Sequence, residues 1–513
     1  MSLSASLKSI QDIMRKDVGV DGDAQRLGQL VWLLFLKVWA AREEDFEATS
    51  NDFTSPLVDV TWLEGGERKT AADLRWSTWA APRDESGQLL KKTSTGDELL
   101  AFVNGSLFPA LKGMEVGPAV EGDDAASVQA RVLRERRLLI RSVFEDAYQY
   151  MKSGTLLRQV IDKLEEGLDF SSAQNRHLFG EIYEQLLRDL QGAGNAGEFY
   201  TPRAVTQFAV DQIDPRLGEV VLDPACGTGG FLTCALQHLH RQAQGGDDRR
   251  TLQDSIRGIE KKPLPHLLCV TNLVVHAVDQ PRIEHRNTLR QAIADLTEKD
   301  QVDVILTNPP FGGMEEDDIE RGFPPEFRTR ETADLFLVLI IALLKDGGRA
   351  AVVLPDGTLF GEGVKTAVKK HLLSECDLHT IVRLPKGVFA PYTSIRTNLL
   401  FFTKGQPTKE IWFYEHPYPE GYKSYSKTKP MKIEEFAAEK AWWGKREEGA
   451  HAWRVSIQQV VERGYNLDIS NPNAVGASHE DLGELLARFE RERAAAAGLR
   501  DELRDLLAKA LGL

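Results

Sequence analysis

Cysteine is scarce in this chain of 513 residues. The four present, Cys226, Cys234, Cys269 and Cys376, form no CxxC pair. That spacing argues against a disulfide framework and against a zinc site, and leaves four isolated buried thiols and no metal as the expectation. Long apolar runs are lacking too. A bilayer-spanning helix needs roughly 18 such residues. The longest run here, Leu335–Leu344, fits a buried helix instead. The N-terminal MSLSASLKSIQDIMRKD has no signal-peptide core, so a cytoplasmic location without membrane contact is expected. Positive charge is in deficit: 63 Lys and Arg against 77 Asp and Glu leave a formal net charge of −14. A chain that coats nucleic acid by itself needs clustered Lys and Arg. If the substrate is DNA, a local patch or a partner must supply much of the backbone contact.

What is present falls into four stretches. The first, 1–165, reads as a helical N-terminal domain with an irregular insertion. Leu27, Leu30, Val31, Leu34, Phe35 and Val38 recur at helical spacing, and Val132–Met151 repeats the pattern. Residues 50–130 between them carry Gly, Pro, Trp and charge without clear periodicity. The second stretch, 166–408, begins with a helix in NRHLFGEIYEQLLRDLQ. Short β-branched runs then alternate with helical ones: EVVLD, SIRGIE, a weaker RIEHRN, VDVILT, RAAVVLP, HTIVRLP and TNLLFFTK. Such alternation implies a parallel sheet with helices on both faces and ligands beyond the strands' C-terminal ends. The third stretch, 409–474, is rich in Trp, Tyr, Lys and Glu and reads as an irregular extension. The last, 475–513, reads as a C-terminal helix with a leucine stripe, either packed on its own domain or holding a partner.

Three motifs carry chemistry. In VVLDPACGTGGFL a strand ends at Asp223 and a turn of small residues, Ala225, Cys226, Gly227, Thr228, Gly229 and Gly230, opens a helix. Small residues let a ligand approach the backbone, and the helix start offers free N–H donors. The turn lacks both the GKS/T of a P-loop and a GxGxxG array. Glu260 ends the next strand, where a carboxylate can accept from both hydroxyls of a ribose; read alone it is equally a surface acid. Asn308, Pro309, Pro310 and Phe311 follow the apolar strand VDVILT. An aromatic exocyclic amine is a poor nucleophile because its lone pair is delocalised. The Asn308 oxygen and the Pro309 carbonyl can accept its two hydrogens and favour a pyramidal nitrogen, an effect that grows as positive charge develops. The prolines stiffen the backbone, and Phe311 can stack on a base taken out of the duplex. Upstream, Glu198-Phe199-Tyr200-Thr201-Pro202-Arg203 reads as a helix start with Thr201 as N-cap and Pro202 at the first helical position.

The order GEFYTPR, DPACGTGGFL, NPPF resembles the DNA adenine amino-methyltransferases, and among them the modification (methyltransferase) subunit of type I restriction-modification systems. The resemblance implies an α/β fold: a Rossmann-like S-adenosylmethionine-dependent methyltransferase core with a helical N-terminal domain and a C-terminal helical tail. It further implies that residues Glu198 to Arg203, Asp223, Ala225 to Gly230 and Glu260 contact S-adenosyl-L-methionine, and that Asn287 and Thr288 flank its adenine. Asn308 to Phe311 are then catalytic, Phe311 keeping the stacking face where many relatives have Tyr. The implied partners are double-stranded DNA, one specificity subunit per two copies of this chain, and a restriction/translocase subunit. Two alternatives stay open on the residues: a self-sufficient adenine methyltransferase, and one acting on a glutamine in a protein. The charged segment 312–334 reads either as a mobile flap over the base or as a solvated loop.

Overall fold

The computed structural model describes residues 3–49, 52–83, 90, 96–122, 124–167, 200–390, 392–426, 428–473 and 493. The helix expected in 175–191, Glu198, Phe199 and nearly all of the expected helical tail lie outside the described residues.

Helices dominate the N-terminal region. They include α1 (Leu3–Met14), α2 (Asp23–Thr49), α3 (Ala125–Glu145) and α4 (Gly154–Gly167). The six apolar residues expected to line α2 are all buried, and so are Trp32, Leu33 and Leu36, because this helix is enclosed by neighbours on more than one face. Asp124 caps α3: its carboxylate accepts from Ser127 N at 3.0 Å. The stretch without periodicity holds an antiparallel hairpin, β1 (Val58–Glu64) and β2 (Glu67–Asp73). Its turn is Gly65-Gly66, with φ of +60° and +85°, the left-handed pair that a tight hairpin needs. β1 turns Val60 and Trp62 inward, but β2 buries none of its residues. A strand with no core face has no alternation to read.

The C-terminal region is built on a nine-stranded sheet among the described residues. In chain order its elements include α5 (Arg203–Ile213), β3 (Val221–Asp223), α6 (Gly230–His240), β4 (Ile256–Glu260), α7 (Pro263–Val275), β5 (Arg282–His285), β6 (Val302–Thr307), α8 (Thr332–Leu343), β7 (Leu344–Pro355), α9 (Val364–Glu375), β8 (Cys376–Arg383), β9 (Thr397–Lys404), β10 (Glu410–Glu415) and β11 (Ala452–Ser456). The spatial order is β11-β10-β8-β9-β7-β6-β3-β4-β5. Apolar clusters cover both faces. α8 carries the longest apolar run and is buried from Ala333 to Ile341, as a helix sandwiched inside the fold must be.

Two expectations need correction here. The sheet is mixed: β9 inserts antiparallel between β7 and β8, and β11 pairs antiparallel with β10. TNLLFFTK is apolar throughout, so its pattern marks a strand buried on both faces without fixing its direction. Residues 409–474 are also not simply irregular. EIWFYE (β10) and AWRVS (β11) extend the core sheet, burying Ile411, Phe413, Trp453 and Val455. The 36 residues between them, wound around two short helical turns, hide that pairing from a local reading.

The two regions are joined by packing of α2 on α7, by an ion pair of Arg42 with Asp279, and by a polar contact of His285 Nδ1 with Asp146 Oδ2 at 3.2 Å. No described helix is long and apolar enough to cross a membrane.

Candidate functional site

β3, β4 and β6 are parallel neighbours and end side by side in Asp223, Glu260 and Thr307. Asp223 is buried. Its Oδ1 accepts from the Thr307 hydroxyl at 2.6 Å and from Ala225 N at 3.1 Å. This carboxylate therefore ties the turn after β3 to the last residue before the Asn308 tetrapeptide. Burial pushes its pKa up to about 7. An acid whose pKa rises on folding keeps its proton in the native state after the unfolded chain has lost it. Between the unfolded value near 4 and about 7, the contribution of Asp223 to stability therefore falls as pH rises. Asp223→Asn is expected to flatten this part of the pH dependence. Thermal melting of variant and wild type at pH 5 and pH 7.5 measures it, and an unchanged difference between the two pH values would refute the assignment.

The turn itself is held from several sides. Gly227 N donates to Glu260 Oε2 at 2.9 Å, and Lys262 N donates to Oε1 at 2.7 Å. Burial pushes the Glu260 carboxyl above the usual carboxylate range, against these two donors. Cys226 N donates to Ile259 O at 3.0 Å, and Asn272 Nδ2 to Thr228 O at 3.0 Å. Gly229 stands at φ +81°, where a Cβ would lie 2.8 Å from Cys269 Sγ. All four cysteines are buried and none is in a disulfide.

Between this turn and the tetrapeptide lies a cleft of about 290 Å³. Of the residues singled out in the sequence, Tyr200, Thr201, Asp223, Ala225, Cys226, Gly227, Gly230, Glu260 and Asn308 through Phe311 line it. Two larger cavities, of about 460 and 480 Å³, hold none of the motif residues. Several expected contacts do not reach the cleft. Arg203 turns onto α6, donating to Thr233 Oγ1 at 3.0 Å and Gln237 Oε1 at 2.6 Å. Thr228 and Gly229 belong to the turn but do not line the cleft, and Pro202 is the N-cap of α5. The helix begins one residue later than expected, which frees the Thr201 hydroxyl from capping. It accepts from Asn308 Nδ2 at 3.0 Å instead. Thr288 donates to Pro224 O at 2.6 Å, and Asn287 is engaged at both ends of its amide, Oδ1 accepting from Leu289 N at 3.1 Å and Nδ2 donating to Glu315 Oε2 at 3.0 Å. Neither lines the cleft.

Asn308 is the pivotal residue. With Nδ2 held by Thr201, its orientation is fixed, and its buried Oδ1 has no hydrogen-bond partner among the described residues. Leaving a buried acceptor empty costs on the order of 1–3 kcal/mol, so an orphan in a cleft marks a place for a donor. Phe311 faces Phe389 with ring centroids 6.2 Å apart at 74°. Phe389 and Tyr392, on the loop between β8 and β9, and Lys261, Met314 and Glu315 are lining residues that sequence reasoning missed. For the two aromatics a signal existed: they follow the C-terminal end of a strand, the edge where ligands bind. The segment 312–334 is not a solvated loop. Ile319, Phe323 and Phe327 are buried in the core, and Gly313 O accepts from Thr332 N at 3.0 Å to close its base.

Residues 174–481 match the model of the N-6 DNA methylase family, and residues 3–164 match that of the HsdM N-terminal domain. Along its whole length the chain is 56% identical to the type I restriction enzyme EcoEI methylase subunit of Escherichia coli, covering 99% of it. It resembles in fold a solved type I modification subunit from Vibrio vulnificus YJ016, with a TM-score of 0.76, 43% identity and coverage of 92% of this chain and 97% of that one. A chain solved in work on the assembly and conformational transition of a type I restriction-modification system is similar at a TM-score of 0.75 and 36% identity, over 99% and 98% of the two chains.

Proposed function

This chain belongs to the N-6 DNA methylase family as a type I restriction-modification methylase subunit, and on that basis we propose how its cleft moves a methyl group to N6 of adenine. The observation that carries the reading is the empty, oriented Asn308 Oδ1. An exocyclic amine brings two hydrogens, one for Asn308 Oδ1 and one for the Pro309 carbonyl. Holding both directs the nitrogen lone pair out of the ring plane, and the two oxygens stabilise the positive charge that grows there. Phe311 and Phe389 offer aromatic faces for the extruded base.

The residues present fit S-adenosyl-L-methionine. Glu260 lines the cleft as a buried carboxylate for ribose hydroxyls, and Ala225 to Gly227 give a backbone wall with little side-chain bulk. When bound, the cofactor supplies an electrophilic sulfonium methyl. Tyr200 and Thr201 also line the cleft, and Thr201 fixes Asn308, so one segment serves both ligands.

The net charge of −14 supports sharing the DNA contacts with other chains. We place double-stranded DNA, a sequence-reading specificity subunit bound by two copies of this chain, and a restriction/translocase subunit around it, in the cytoplasm. Tritium transfer from labelled S-adenosylmethionine to unmethylated plasmid DNA tests this. N6-methyladenine is expected only when the presumed specificity subunit is added. Transfer by this chain alone would show that it reads DNA itself; cofactor binding with no transfer to DNA in either case would overturn the DNA substrate.

A further inference from the structure

Asn287 is engaged at both ends of its amide and does not line the cleft, so a residue that does line it is better placed to read the cofactor's purine. Glu315 is the candidate the geometry supports. It is buried, lines the cleft, and lies four residues beyond Phe311. Its Oε2 accepts from Lys261 Nζ at 3.0 Å and from Asn287 Nδ2 at 3.0 Å. Its backbone is clamped: Glu315 N donates to Arg330 O at 2.9 Å, and Arg330 Nε donates to Glu315 O at 3.0 Å. The carboxylate is thus fixed in position by groups on two neighbouring elements and by its own loop. Its Oε1 has no hydrogen-bond partner among the described residues.

Position decides what Oε1 meets. Lys261 directly follows Glu260, the ribose carboxylate, and Asn287 follows the strand next to β4. Glu315 therefore adjoins the ribose position, on the side of Lys261 and Asn287. A purine attached to that ribose presents its exocyclic amine as a donor, and a carboxylate oxygen is an acceptor only. We propose that Glu315 selects the six-amino purine of the cofactor by accepting that amine's hydrogen. The inference rests on the cofactor reading above. It adds a coupling: the purine contact pins the base of the same loop that begins with the tetrapeptide, so an ill-fitting purine also disturbs the target-base site.

The test is binding, not turnover. S-adenosylhomocysteine and its six-oxo counterpart, S-inosylhomocysteine, are titrated by calorimetry into the full chain and into Glu315→Gln. A hydrogen bond to a charged group, replaced by two opposed acceptors, is expected to cost the six-oxo ligand about 10–100-fold in wild type. Glutamine can turn its amide to donate to a six-oxo group, so the preference is expected to shrink to a few-fold or less. A purely structural role would weaken both ligands alike and leave their ratio unchanged, which would overturn the proposal. If Glu315→Gln fails to fold, the wild-type ratio still decides: equal affinities refute it. Failure of the wild-type chain to bind either ligand would refute the cofactor reading as well, whereas tight binding of both with no discrimination refutes the role of Glu315 alone.

Discussion

Asn308→Ala is expected to lower the methyl-transfer rate by at least about 10²–10³-fold while S-adenosylhomocysteine affinity stays within a few-fold of wild type. The magnitude follows from removing one preorganised group that stabilises developing charge, about 2.7–4 kcal/mol in comparable sites. The split follows from the structure. Among the described residues Asn308 Oδ1 has no hydrogen-bond partner, and Nδ2 donates to Thr201. Truncation therefore removes an interaction made with the amine, together with a neutral hydrogen bond worth about 1 kcal/mol. It also removes a buried orphan, so the variant is expected to melt within a few degrees of wild type. Single-turnover transfer and calorimetric titration check the two halves. A large loss of cofactor affinity would mean that Asn308 shapes the cofactor pocket rather than the amine site, and near-normal transfer would remove it from the chemistry.

Gly229→Ala is expected to be the most damaging conservative change in the cleft region. At φ +81° any L-residue other than glycine is strained, at about 1–3 kcal/mol. The added methyl would also sit 2.8 Å from Cys269 Sγ. Cys269 is buried on α7, so overpacking adds about 1–3 kcal/mol. Relief of the overlap by a shift of the turn displaces Gly227 from Glu260. Cofactor affinity is therefore expected to fall by about tenfold or more, with a drop of several degrees in melting temperature. The double variant Gly229→Ala, Cys269→Ala should recover part of the loss, because it opens space for the methyl while leaving the φ strain. No recovery would show that the backbone conformation alone sets the cost.

Much of this architecture could be read from the sequence, and the exceptions share a cause. VDVILT and TNLLFFTK coincide with β6 and β9 because buried strands bounded by turns announce themselves residue by residue. The glycine turn and the tetrapeptide were legible because their chemistry is local: each motif is contiguous, and each follows a strand. What was hidden depends on partners distant in sequence. β2 is exposed, so it carries no alternation. The antiparallel direction of β9 is decided by its neighbours. β10 and β11 look irregular until each finds the other. Within the site the same division holds. Asn287 occupies a reasonable place, but its amide is taken by Leu289 and by Glu315, 28 residues further on. Arg203 sits in a motif yet points to Gln237, which one turn of helix geometry decides. Sequence order put the right loops near each other; which atoms face the cleft depended on hydrogen bonds that no local pattern encodes.

The antiparallel insertion of β9 also bears on how the chain is made. β7 and β8 leave the ribosome before the strand that joins them, and until residues 397–404 emerge each shows a row of unpaired N–H and C=O groups to water. The glycine turn and the tetrapeptide are already synthesised by then, but β8 has no strand to join it to β7, and β10 and β11 are still to be made. A nascent chain stalled just short of Thr397 would hold two open, apolar strand edges and be a strong template for aggregation, whereas one released after Lys404 can close the gap in a single step. Translation speed across these eight codons is thus a point at which synthesis can decide between assembly and loss.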